Sequence, residues 1–400
     1  MIRQEHEAHE DDRIRAGTHS DAVFGFFRLT WDGAVSRGMM FPEERLALAL
    51  MDDPRIGGLL IADSYRSRAA AIARRSRGLG SGMPRRPGLH HARPLRLRRG
   101  DPVSTKRLRE AARRYAWRLE RASERAGLVR PAVVMCNPLV AAFGDFGWAG
   151  TRTYYGWDCW LEHYGEAARR DAYADAYRIL REDRWRVAAV SEPIIERIAP
   201  SGPAIVVPNG ITPDEWLDVP PPPRWFAELP HPRLLYVGSL DRRLDVELVR
   251  SAAQRFAGGS IVLIGVNYDP RHLAPLDAFA NVHIVPPVGR AHVPAITVAS
   301  DVALVPHVRS PLTEAMSPLK LYEGLAGGRP VAAVDIEPMR GIDDRVVLAG
   351  TAADWVGTVE AALALGPAPE PERRAFLTAN SWERRFRDVI DLALAEERRS

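Results

Sequence analysis

The sequence predicts an α/β protein of two consecutive units, each a parallel sheet layered with helices. Three observations carry this. The chain has 400 residues, 46% hydrophobic and 26% charged, a globular composition whose length suits two domains of ~100–200 residues, each with its own core. Short apolar runs bounded by turn residues alternate with segments of helical periodicity along the chain, as in strand–helix–strand units. That alternation breaks near residue 200, where Pro208-Asn209-Gly210 and the run Pro220–Pro223 stand close together, and then restarts.

The first unit, residues 1–200, opens with the strand Asp21–Phe27, a helix over Glu43–Met51 and a second strand at Gly57–Ala62. A long helix over Thr105–Ala126 leads into strands at Ala132–Cys136 and Thr151–Tyr155. A helix over Gly165–Arg181, a strand at Trp185–Val190, a short helix from Ser191 and a strand at Ala204–Val207 continue the alternation across the boundary. The second unit, residues 201–400, places strands at Arg233–Val237, Ser260–Ile264, Val282–Val285, Val302–Val305 and Pro330–Val334. Its helices are expected at Asp245–Phe256, His292–Val298 and Pro318–Ala326. The region Glu370–Glu396 reads as helix, with Trp382, Phe386, Ile390 and Leu394 four apart, a stripe that closes the chain on an apolar surface.

Residues 1–17 carry no apolar segment of a signal peptide, and nowhere do 18 uncharged apolar residues follow one another, so the chain is expected in the cytoplasm. Cys136 and Cys159 lack the paired spacing of a zinc site or disulfide framework and are expected to be reduced. No third ligand stands at a recognisable spacing from His90 and His91, so no metal site is expected.

The formal charge of +4 hides an asymmetry. Residues 64–100 hold eleven arginines and no acid, which leaves the rest of the chain at −7. Arginine mixed with Gly and Pro reads as a solvated, partly irregular surface excursion. Its positive field suits an anionic membrane face, a phosphorylated lipid carrier or a polyanionic glycan. Without interleaved aromatics it does not suit nucleic acid.

Only Lys106 and Lys320 are lysines, against 53 arginines. Lys320 falls in the most informative stretch, Met316–Val331 (MSPLKLYEGLAGGRPV). Ser317 reads as an N-cap and Pro318 as the first helical residue. The helix start at Ser317, Pro318 and Leu319 would present unpaired backbone N–H groups suited to a diphosphate, with Lys320 adding a point charge. Glu323, three residues on, can accept from the vicinal hydroxyls of a ribose. Gly324 and Gly327 continue this face, and Leu319, Tyr322 and Ala326 are expected to turn their side chains toward the sheet. After the first strand, Trp31 could stack on a sugar ring and Arg37 could meet an anionic group, since open sheets place ligands at strand carboxyl ends.

SPLKLYEGLAGGRPV, VVPNGI at Val206–Ile211, YVGSLDRRLDVELV at Tyr236–Val249, ASDVALVP at Ala299–Pro306 and the late SWERRF together resemble GT-B-fold glycosyltransferases of family 4 type, most of all a bacterial subgroup like the teichuronic acid biosynthesis glycosyltransferases. The resemblance implies two Rossmann-like domains facing each other across a cleft, with the C-terminal helix at or near their junction. It implies an N-terminal acceptor-binding domain and a C-terminal domain that binds a nucleoside diphosphate sugar as co-substrate, with no other cofactor and no metal. By it Lys320 would contact the donor phosphate and Glu323 the ribose, Gly238 and Ser239 would form the turn beside the diphosphate, and the loop Pro287–Arg290, with Gly289, would border the nucleobase.

The chain departs from the family where an acid usually stands eight residues before Glu323. Ala315 occupies that place and Glu314 is one position off. The usual Arg and Lys after the Val-Gly turn are Ser239 and Leu244 here, and Arg243 is the candidate to replace the lost charge. Asp158, in TYYGWDCW, is the candidate general base for an inverting course. The activity implied is transfer of a sugar to a hydroxyl acceptor: a cell-envelope glycan, a lipid-linked carrier or a small natural product. A sugar-nucleotide epimerase or hydrolase on the same scaffold and a non-catalytic nucleotide-sugar-binding protein are the alternatives.

Overall fold

A computed structural model describes residues 19–69, 72, 82–97 and 100–395. The chain divides into two compact units. Unit 1 comprises residues up to Ala189, Ile194–Val207 and the chain from Phe386 onward; unit 2 comprises Val190–Pro193 and Pro208–Arg385. The division therefore differs from a single cut at residue 200. The strand Ala204–Val206 still belongs to the first sheet, and the last helix, Trp382–Leu394, begins in unit 2 and ends in unit 1.

Unit 1 holds β1 (Ser20–Gly25), β2 (Ile56–Ala62), β3 (Arg66–Ser67), β4 (Leu89–Ala92), β5 (Leu95–Arg96), β6 (Ala132–Met135), β7 (Thr151–Gly156), β8 (Arg186–Ala189) and β9 (Ala204–Val206). Seven of them form a sheet in the order β4-β2-β1-β6-β7-β8-β9, every pair parallel. Parallel strands are covered on both faces, which is why β6 (AVVM) is an unbroken apolar run with all four residues buried. The helix Thr105–Arg125 buries Leu108, Ala112, Tyr115, Ala116 and Leu119, a stripe at helical spacing.

The arginine-rich stretch is not wholly a surface excursion. Its Leu89–Ala92 segment pairs with β2 as the edge strand β4, and β3 pairs with β5, so its described ends are part of the scaffold. Within it, residues 70–71, 73–81 and 98–99 lie outside the described residues. His90 and His91 sit on β4, and His91 Nε2 is 3.0 Å from Asp63 Oδ1. Both cysteines are free and buried.

Unit 2 holds β10 (Arg233–Val237), β11 (Ser260–Ile264), β12 (Val282–Val285), β13 (Val302–Val305), β14 (Val331–Val334) and β15 (Val346–Ala349), ordered β12-β11-β10-β13-β14-β15. All pairs are parallel. Numbered within the unit this is 3-2-1-4-5-6, the doubly wound Rossmann order, whose direction reverses between β10 and β13. β15 and the helix Trp355–Leu365 were not anticipated; β15 is a four-residue strand only partly buried at the sheet edge. Among the described residues no helix is long and apolar enough to cross a membrane.

Candidate functional site

In an open α/β sheet the crevice for a ligand lies beyond the carboxyl ends of the strands where their order reverses. In unit 2 these ends are Val237-Gly238-Ser239 after β10 and Pro306-His307 after β13. Gly238 has φ of 155°. The Tyr236 hydroxyl donates to the Ser239 carbonyl across 3.0 Å and braces the turn. A Cβ on the neighbouring Gly265 would lie 1.7 Å from the Gly238 carbonyl oxygen, so glycine at 265 is what lets the two strand ends approach.

The loop after β10 is fastened on two sides. The Leu240 N–H donates to Val266 O at 3.0 Å, and the Val308 N–H donates to Arg243 O at 2.8 Å. Asp241, buried, takes Arg243 through Nε at 3.0 Å and Nη2 at 2.7 Å. The fork-shaped pairing fixes the orientation of the Arg243 guanidinium.

The helix carrying the motif runs Leu319–Ala326, one residue later than expected. Pro318 is its N-cap, in extended conformation, and makes no side-chain cap bond. Ser317 does not cap it: its hydroxyl accepts from the Asn209 N–H at 3.0 Å, a partner over a hundred residues away that local capping rules cannot anticipate. Gly324 and Gly327 are not on the ligand face. A Cβ at 324 would be 2.6 Å from that of Ala303 on β13, and one at 327 would be 2.7 Å from Thr297 Cγ2, so both serve close packing. Leu321, Tyr322, Leu325 and Ala326 are the buried apolar residues of this helix, so Tyr322 and Ala326 face inward as expected while Leu319 is only partly buried.

Lys320 reaches the reversal point itself. Its Nζ lies 3.2 Å from His307 Nε2 and 5.0 Å from the centroid of the Tyr236 ring, and its Cε would be 3.0 Å from a Cβ at Gly238. Burial, then the neighbouring Arg243, pull the Lys320 pKa down from 10.5 to about 7, against the opposing pull of Asp241 and Glu323. Burial, then Lys320 and Arg243, push His307 well below the usual imidazole range, so it stands neutral. The other lysine, Lys106, is exposed.

Glu323 lies on the same helix and its carboxylate is held by Arg290 Nη1. Arg290 also binds Glu215 Oε2 through Nε at 3.0 Å and Nη2 at 2.7 Å. Burial lowers the Arg290 pKa, but the two carboxylates outweigh it and the net shift is upward. Gly289, exposed, precedes Arg290 and its carbonyl accepts from the His292 N–H at 2.9 Å. Unit 2 thus gathers Gly238, Ser239, Arg243, Lys320 and, through Arg290, Glu323 and Gly289. Asp241, His307 and Glu215 were missed. The position of His307 directly after ASDVALVP, at a strand's carboxyl end, was the signal that could have found it.

The residues expected in unit 1 stand differently. Trp31 is 2% exposed and starts the helix Trp31–Ser36 with its N–H on Asp63 Oδ1 at 2.8 Å; it is core and offers no stacking face. Arg37 Nη2 pairs at 2.9 Å with Glu44, whose side chain is fully buried, so its charge is already spoken for. Asp158 follows β7 at partial exposure, with Oδ1 accepting from the Cys159 N–H at 2.8 Å. Glu314 is exposed, whereas Ala315 at the family's acid position is fully buried.

No protein-family profile matches the chain. Over 103 residues it is 26% identical to TuaH of Bacillus subtilis (strain 168), named for a glycosyltransferase of teichuronic acid biosynthesis; the match covers 25% of this chain and 26% of TuaH, so the chain spans about a quarter of that relative's length. Among solved structures it is similar to sucrose-phosphate synthase from Thermosynechococcus elongatus, with TM-score 0.64 and 15% identity over 94% of this chain and 98% of that one. It is also similar to a trehalose-6-phosphate protein from E. coli bound with UDP-2-fluoro glucose, with TM-score 0.65 and 12% identity over 94% and 99%. These likenesses show the fold: two Rossmann-like domains of GT-B type.

Proposed function

We propose that the chain is a glycosyltransferase that takes a nucleoside diphosphate sugar in unit 2 and transfers the sugar to a hydroxyl acceptor. The observation that carries this reading is the meeting of Lys320, Arg243 and the Gly238-Ser239 turn at the β10/β13 reversal, with Glu323 one helical turn beyond Lys320. A diphosphate placed there meets Lys320, the Arg243 guanidinium that Asp241 holds in place, and a close-approaching backbone. Those charges stabilise the leaving diphosphate as the bond to the anomeric carbon breaks. Glu323 is the acceptor for the ribose hydroxyls, oriented by Arg290. The GT-B fold, the partial match to TuaH and the UDP-sugar bound by the E. coli neighbour support the reading. For an inverting course Asp158 is the proposed base that takes the acceptor proton.

The test is product analysis by mass spectrometry with UDP-, GDP- and dTDP-sugars, each with and without a panel of hydroxyl acceptors. Transfer requires a product whose mass is acceptor plus sugar residue, with release of nucleoside diphosphate. Donor epimerised or hydrolysed at the same rate without acceptor would overturn it.

A further inference from the structure

The Lys320 ammonium is placed by one neighbouring ring. Nζ lies 3.2 Å from His307 Nε2, and a Cβ on Gly238 would stand 3.4 Å from it. Among the described residues Lys320 makes no ion pair, and the contact with His307 is the one hydrogen bond of its side chain. An ammonium carries three N–H donors, so two remain for a ligand at the Gly238-Ser239 turn.

His307 is fixed by the scaffold. It is 1% exposed and stands just beyond β13, where the Asp245 N–H donates to the Pro306 carbonyl at 2.8 Å and Leu244 pairs with His307 in an antiparallel bridge. The Tyr236 ring meets the imidazole edge to face, with centroids 6.3 Å apart. Lys320, by contrast, is a long and only partly buried side chain, a mobile point charge unless something holds it.

The chemistry of the ring follows from its neighbours. An imidazolium there would face Lys320 and Arg243 out of reach of solvent, so burial and these two cations keep the ring neutral. A neutral imidazole has one N–H and one lone pair, and only the lone pair can serve an ammonium. With Lys320 charged, the lone pair is therefore on Nε2 and the proton on Nδ1. Nδ1 is buried and has no hydrogen-bond partner among the described residues. A buried donor without a partner works against folding, and phenylalanine would fill much of the same space without that cost. What histidine adds is the acceptor for Lys320.

We propose that His307 is a positioning residue of the donor site: with its proton on Nδ1 it accepts from the Lys320 ammonium at Nε2 and aims the two remaining N–H groups at the diphosphate. This rests on the reading of unit 2 as the nucleoside diphosphate sugar site. The other charged groups that act on Lys320 are Arg243, which disfavours the ammonium, and Asp241 and Glu323, which favour it.

The experiment is NMR of the full chain labelled with 13C at lysine Cε and 15N at histidine, beside calorimetric titration of UDP, GDP and dTDP. Two lysines give two Cε signals, and Lys106→Arg assigns them. His307→Phe keeps an aromatic ring and removes the acceptor, His307→Gln offers an amide oxygen in place of Nε2, and a thermal scan of each confirms folding. At pH 6 the His307 ring should carry its proton on Nδ1, its signals identified by their loss in His307→Gln. The Lys320 midpoint should fall by about one pH unit in His307→Phe and return toward wild type in His307→Gln, because a hydrogen bond to the ammonium favours the charged form. At pH 7 that fall takes the charged fraction from about one half to about one tenth, so nucleotide affinity should drop at least about fivefold in His307→Phe and recover in His307→Gln. A proton on Nε2 at pH 6, a Lys320 midpoint that stays in place in a folded His307→Phe, or a nucleotide affinity indifferent to that variant would overturn the inference. If His307→Phe does not fold, the wild-type tautomer decides. Nucleotide binding by wild type together with any of these adverse results sinks this inference alone. If none of the three nucleotides binds wild type, the donor reading fails, and the tautomer and the midpoint still decide whether His307 holds Lys320.

Discussion

If the donor diphosphate sits beside Lys320 as proposed, its binding is a proton-linked event. In the unliganded chain the Lys320 pKa is lowered to about 7, chiefly by burial. At pH 8 the ammonium is therefore populated in only about one molecule in ten. A diphosphate beside Nζ favours the charged form, and returning the pKa toward the ordinary lysine value of about 10.4 would draw in about 0.9 proton per ligand at pH 8, about 0.5 at pH 7 and about 0.1 at pH 6. The assay is calorimetry of UDP binding at each pH in two buffers of different ionisation enthalpy, whose difference in apparent enthalpy reports protons taken up. Lys320→Arg should bind without the uptake, because guanidinium stays charged throughout this range. Nucleotide binding at pH 8 with no proton uptake would refute the reasoning, since Lys320 would then be either already charged or not at the diphosphate.

Gly265→Ala should destabilise unit 2 by at least the ~1–3 kcal/mol of an overpacked core, because its Cβ would meet the backbone of Gly238 at 1.7 Å; an unchanged denaturant midpoint would contradict the strand-end geometry. Glu43 is fully buried and its pKa is raised from 4.5 to about 8, chiefly by burial. The folded state thus holds a proton that the unfolded state has released between these values, so wild-type stability is full below about pH 4.5 and is lost as pH rises toward 8. Glu43→Gln removes that dependence, and by pH 7 wild type should have lost about 3 kcal/mol relative to it. Urea melts of both proteins across pH 5–8 check this, and parallel curves would contradict it.

Much of the fold is legible because parallel strands covered on both faces need uninterrupted apolar runs. RLLYV, SIVLI, VHIV and VALV stand where the residues alone place strands. β4 was hidden because Leu89-His90-His91-Ala92 sits among arginines and glycines, and its strand character comes from pairing with β2. Lys320 and Glu323 were legible from the rarity of lysine and their three-residue spacing. His307 was not, because it meets Lys320 through strand order, which no local pattern encodes. Ser317 and Trp31 mislead for a related reason: distant partners, Asn209 and Asp63, decide their environments. Glu43 stands at the start of the helix expected over Glu43–Met51, and its full burial and the Phe27 N–H 2.7 Å from its carboxyl show that it faces inward.

The most direct test of the central claim is calorimetric titration of UDP, GDP and dTDP into wild type, Lys320→Ala and Glu323→Ala. The account predicts that one nucleotide binds and that each substitution weakens it by about 1–3 kcal/mol, the size of a charge-assisted hydrogen bond. No binding by any nucleotide, or binding untouched by both substitutions, would contradict it and leave the helix Leu319–Ala326 a structural element.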